Sequence, residues 1–161
     1  MKRLLKISVL ALLVLPAVGC EDVLFDDPDH VYSGPPQVEF AAVTPAGNYT
    51  RTITFAATAT TNQTTVVRVN YISAAPPADV SGDITRVSTS TAVEGTHYRF
   101  TSGARYTIKA GSLSADVPIE VLAAGFAPGA SVTLVLELSP GTGFEVAQKY
   151  KRFTLTLRRS S

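Results

Sequence analysis

The sequence predicts an all-β chain: a two-layer antiparallel β-sandwich of about seven strands with an immunoglobulin-like architecture. Three observations predict it. From Val38 onward apolar residues recur at every second position. Clusters of Pro, Gly, Asn and Ser interrupt that pattern at short intervals. No stretch beyond the N-terminal region keeps an apolar face at helical spacing for three turns, and a body this rich in Thr and Val disfavours helix. A strand with one apolar and one polar face can bury the former only by stacking its sheet on another.

The first element is not part of that body. The chain opens MKRLLKISVLALLVLPAVGC. Lys2, Arg3 and Lys6 form a basic head, and residues 7–15 are apolar apart from Ser8, the pattern of a secretory signal. The apolar core is shorter than the about 20 residues that span a bilayer. The ending Leu15-Pro16-Ala17-Val18-Gly19-Cys20 resembles a bacterial lipobox, with Ala17 where Leu is usual. Small residues there admit the lipoprotein signal peptidase, and the cysteine thiol accepts a diacylglyceryl group. The alternative is ordinary cleavage after Ala17 or Gly19, leaving a free thiol. Cys20 is the one cysteine of the chain, which excludes an intramolecular disulfide and a cysteine-based zinc site. The signal is therefore assigned to residues 1–19 and lipidation to Cys20. Acyl chains on one residue make a stable membrane anchor, each buried methylene contributing about 0.8 kcal/mol. Removing Lys2, Arg3 and Lys6 takes the 14 basic residues to 11, against 13 acidic, net −2. Nothing in that balance recommends a nucleic-acid partner.

Residues 20–37 hold the acids Glu21, Asp22, Asp26, Asp27 and Asp29, and also Pro28, Gly34, Pro35 and Pro36, without periodicity. They read as a tether reaching about 60 Å extended and about 20–25 Å as a coil. Acidic residues just after a lipidated cysteine also resemble the surface-export signal of Bacteroidetes-type lipoproteins; a solvated acidic linker is the equal alternative. As a calcium loop the segment lacks the glycine and the distal glutamate.

The strands follow in residues 38–159, read as one domain. Val38 and Phe40 alternate with Gln37 and Glu39. Ile53, Phe55, Ala57 and Ala59 share a face opposite Thr52, Thr54 and Thr58. Val67, Val69 and Tyr71 oppose Arg68 and Asn70. Tyr106 and Ile108 alternate with Arg105, Thr107 and Lys109. Val117, Ile119 and Val121 oppose Asp116 and Glu120. Val132, Leu134, Leu136 and Leu138 oppose Thr133 and Glu137. Phe153, Leu155 and Leu157 oppose Arg152, Thr154, Thr156 and Arg158. Between the third and fourth of these, residues 75–83 read as an exposed loop and residues 84–89 as an extra strand at a sheet edge. The stretch 75–92 is the longest segment outside the core, where function concentrates. Its Asp79, Asp83 and Arg86 form the candidate binding loop.

The segment TAVEGTHYRF, residues 91–100, followed by YTIKAGSLSADVPIEVL, SVTLVLELSP and FTLTL, resembles the Calx-beta-like sandwich domains, and within them the single-domain lipoproteins of Bacteroidetes. The resemblance covers residues 38–159 and is strongest over 91–139. Glu94, Gly95, Thr96, Tyr98 and Gly111 carry it as structural motif residues. Gly95 permits a left-handed step after Glu94. Tyr98 is expected to turn its ring inward and keep its hydroxyl for a backbone partner, as in a tyrosine corner, with His97 pointing outward. Gly111 is expected to close a hairpin between residues 105–109 and 115–122. Some Calx-beta domains bind calcium through clustered carboxylates, including acids near the C-terminal end. Here Arg158 and Arg159 stand where acids are wanted, so the resemblance brings no calcium site with it.

Catalytic constellations are weak. His97 with Glu94 or Asp116 lacks a nucleophile elbow. Glu120 and Glu137 read as solvated partners of Arg105, Lys109 or Arg152, exposed pairs of about 0–1 kcal/mol. No catalytic residue, metal ligand or cofactor is assigned. Tyr32, Tyr49, Phe126, Phe144 and Tyr150 are the aromatics outside strand cores, available either to stack on sugars or to cap the sandwich. Lys149, Lys151, Arg152, Arg158 and Arg159 form a basic group that could meet an acidic partner or blunt a sheet edge. The expectation is a lipid-anchored, surface-exposed, non-enzymatic module of the bacterial outer membrane, with the periplasmic face as an alternative and a protein or glycan as ligand. A glycan-binding accessory lipoprotein of a nutrient-uptake system is the first alternative, a small hydrolase the second.

Overall fold

The computed structural model describes Tyr32 and residues 34–161. The signal, Cys20 and the acidic run behind it lie outside the described residues. The body is built from β1 (Gln37–Phe40), β2 (Thr50–Phe55), β3 (Gln63–Ile72), β4 (Val80–Arg86), β5 (Tyr98–Phe100), β6 (Arg105–Ile108), β7 (Ser114–Val121), β8 (Ser131–Leu138), β9 (Glu145–Val146) and β10 (Arg152–Arg159), with one 3-10 turn at Ala123–Gly125. Among the described residues no helix is long and apolar enough to cross a membrane.

Two five-stranded sheets form the sandwich, one in the order β5-β7-β3-β1-β9 and the other β2-β10-β8-β4-β6. All odd-numbered strands lie in the first sheet and all even-numbered ones in the second, so each connection carries the chain from one layer to the other. Pairing is antiparallel except at β1 with β9 and β10 with β2, which run parallel.

The alternation read from the sequence is the one that is buried. Val38, Phe40, Val67, Val69, Tyr71, Val117, Ile119 and Val121 from the first sheet pack on Tyr106, Ile108, Leu134, Leu136, Leu138, Phe153, Leu155 and Leu157 from the second. Fully burying one such side chain contributes about 1.5–3 kcal/mol. The readings of residues 75–89 and of the Gly111 turn need correction. Residues 80–83, VSGD, belong to β4 and pair with β6, while Ile84–Arg86 pair with β8. That strand is interior, not an edge, and it carries Asp83 and Arg86 of the candidate loop. Next, Gly111 does not close a hairpin: β6 and β7 lie in different sheets, and the turn from Lys109 to Ser112, with Gly111 at φ 77°, crosses between them. Of the two uses open to Phe126 and Phe144, capping the sandwich is the one they take, at 3% and 6% exposure.

The 91–100 string forms a tight turn before β5. Gly95 has φ 79°, its N–H donates to Tyr98 O at 2.8 Å, and His97 N–H donates to Val93 O at 2.9 Å. Thr91 Oγ1 accepts from Thr133 N–H at 2.8 Å, tying the turn to β8. Thr96 approaches the 3-10 turn so closely that a Cβ on Gly125 would lie 2.0 Å from its carbonyl oxygen. Tyr98 is buried as expected, but its hydroxyl has no hydrogen-bond partner, so the tyrosine corner does not form. His97 folds back on its own turn instead of pointing outward: its Nδ1 accepts from Val93 N–H at 3.0 Å, and its ring meets Phe126 edge-on at 5.1 Å.

Candidate functional site

The outer faces of both sheets are laced with ion pairs. Arg68 donates to both carboxylate oxygens of Asp116, Arg99 pairs with Glu120, and Glu137 pairs with Arg152 and Lys151. Arg152 is the partner expected for Glu137, while Glu120 takes Arg99 and Asn62. These partners hold the Asp116, Glu120 and Glu137 carboxyls below their usual range, through hydrogen bonds first from Arg68, Asn62 and Arg152 respectively. Glu120 and Glu137 point outward from opposite sheets, so they cannot flank one substrate bond.

The candidate loop residues are spread along β4 and its approach. Asp79 accepts from Lys109 Nζ at 2.7 Å and Ala110 N–H at 3.0 Å, and the Lys109 bond holds its carboxyl low. Asp83 faces Arg105 at 3.5 Å. Arg86, at the far end of the strand, donates to the carbonyls of Ala92 and Ser90. Glu94 is exposed. Among the described residues no three His, Cys, Asp or Glu side chains gather as metal ligands would.

A cleft of about 320 Å³ opens instead at the side of the sandwich, where β2 of one sheet meets β3 of the other. Phe153 closes its floor; Ala41, Ala42 and Val66 form apolar walls; Arg51, Arg68 and Asp116 stand on its rim. Arg51 Nη1 donates to Thr65 Oγ1 at 2.9 Å and to Val66 O at 2.8 Å. Beside the cleft, Tyr49 and Tyr150 stack at 4.9 Å with 23° between their planes, and Lys149 Nζ lies 5.2 Å from the Tyr150 ring. Tyr49 precedes Arg51 by two residues, on the same side of the chain. Tyr150 O accepts from Phe40 N–H at 3.0 Å, next to the Ala41 wall. Partial burial raises the Tyr49 hydroxyl above its usual value, and Glu39 adds to it.

Tyr49 and Tyr150 were singled out by the sequence; Arg51 was not. Its signal is parity. It shares a face with Ile53 and Phe55, so a charged side chain stands where the alternation places an apolar one.

No protein-family model and no curated protein matches the chain. Solved structures resemble it in fold. An apo-form Calx CBD1 domain aligns with a TM-score of 0.52 at 17% identity, over 80% of this chain and 100% of that one. EndoBT-3987 of Bacteroides thetaiotaomicron, crystallised with a Man5GlcNAc product, aligns at 0.51 and 12% identity, over 71% of this chain and 29% of that one. A Bacteroides ovatus protein of unknown function aligns at 0.51 and 15% identity, over 76% of this chain and 46% of that one. The chain thus spans less than half of the two Bacteroides proteins, and at these identities the likeness is one of fold: a Calx-beta-like β-sandwich.

Proposed function

We propose that this chain is a lipid-anchored, non-enzymatic binding module displayed at the surface of the bacterial outer membrane. One observation carries the reading: a lone cysteine at the end of a secretory signal core, followed by an acidic, proline-containing tether before the sandwich begins at Gln37. Lipid on Cys20 fixes the chain to a membrane, and the tether holds the body a few tens of ångströms from it. The body offers a cleft and ion-paired faces, where Asp83, Asp116, Glu120 and Glu137 each meet a cation. Cys20→Ser tests the anchor. The substituted protein is expected in the soluble fraction; partition with the membranes at the wild-type level would refute it.

The second reading, a glycan-binding accessory lipoprotein, is favoured by the stacked Tyr49–Tyr150 pair beside the cleft. Aromatic faces in such a position suit sugar rings, whose C–H faces are apolar. The fold's likeness to part of an enzyme crystallised with a glycan product supports the same direction.

A further inference from the structure

Arg51 stands on a face that otherwise belongs to the core, and its guanidinium is already fixed by Thr65 and Val66 through Nη1 alone. The Nε–Nη2 edge meets no acceptor among the described residues, and no described carboxylate pairs with it. That edge can bind a carboxylate through two parallel hydrogen bonds. Arg68, on the rim of the same cleft, shows the arrangement filled: its Nε and Nη2 donate to Asp116 Oδ1 and Oδ2 at 2.7 and 3.0 Å. Two guanidinium groups against one carboxylate leave the cleft net positive.

Size and walls narrow the ligand. A volume of about 320 Å³ lies at the small end of ligand pockets, roughly 300–1,000 Å³, and suits one or two sugar rings. Ala41, Ala42 and Val66 offer apolar walls to a ring's C–H face. We propose that the cleft binds an acidic sugar, a uronic-acid unit of a glycan, whose carboxylate is held by Arg51 Nε and Nη2. This rests on the glycan-binding reading above and specifies the unit recognised.

The test is a calorimetric titration of the full chain, purified in detergent, with galacturonate and glucuronate oligosaccharides, with their methyl esters, and with succinate as a carboxylate without a sugar. A uronate oligosaccharide should bind, and its ester should bind about 10- to 100-fold more weakly, the range of a lost charge-assisted pair. Arg51→Gln should cost the acid the same factor and erase the preference over the ester. Arg51→Lys, which keeps the charge but not the fork, should recover little. Equal binding of acid and ester, unchanged by Arg51→Gln, overturns this inference and leaves the glycan reading standing. Binding of neither overturns both. Succinate binding as tightly as the uronate overturns the sugar assignment. Should Arg51→Gln fail to fold, Ala42→Phe fills the cleft and leaves Arg51 unsubstituted. It should abolish binding at an unchanged melting temperature, and intact binding in that variant overturns the proposal.

Discussion

Tyr98 is wholly buried, yet its hydroxyl meets no partner. A buried hydroxyl left unpaired costs about 1–3 kcal/mol, and burial raises its pKa above the usual tyrosine value. Tyr98→Phe removes that cost and keeps the ring against Phe100, so the variant should be as stable as the wild type or more so. A loss above about 1 kcal/mol in chemical denaturation would mean the hydroxyl is bonded after all. Gly125 makes the opposite case. Nothing in the sequence marks it, because its reason is a distant backbone: the Thr96 carbonyl occupies the place of its Cβ. Gly125→Ala should cost about 1–3 kcal/mol by overpacking. A change within about 0.5 kcal/mol would show that the 3-10 turn can shift aside.

At the scale of elements, the strands with strict alternation were legible, since burial of one face writes itself into every second residue. β4 was legible only in part. VSGD places Gly82 at an inward position, where a Cβ would lie 2.3 Å from the Tyr106 hydroxyl, so the apolar residue that would mark the face comes from the neighbouring strand. The connections were not legible. A glycine turn between two alternating runs reads as a hairpin, but its chemistry is the same whether the second run pairs beside the first or crosses to the other sheet. The tyrosine pair of the candidate site was visible as aromatics outside strand cores, while Arg51 needed the parity of β2 to stand out. The ion pairs between strands also set the acid response. Asp79, Asp116, Glu120 and Glu137 have depressed folded-state pKa values, so their contribution is present above the usual carboxylate range and fades as pH falls through the lower, folded values. Glu39 acts the other way, because burial raises its pKa and its contribution is lost as pH rises. With four groups against one, the melting temperature should stay level from pH 7 to about 5 and fall below about 4. A rise in that acid range would place Glu39 in control.

The molecule as a whole alternates between its two sheets at every connection, so contacting strands are distant in sequence and folding is expected to be slow for its size. On the proposed reading the first nineteen residues serve transport and are no part of this body. Its place at a membrane depends on what happens at Cys20. The most direct measurement is the mass of the N-terminal peptide from the mature protein. The peptide is expected to begin at Cys20 and to carry a thioether-linked diacylglyceryl group. A peptide beginning at Val18, or at Cys20 with an unmodified thiol, would contradict it.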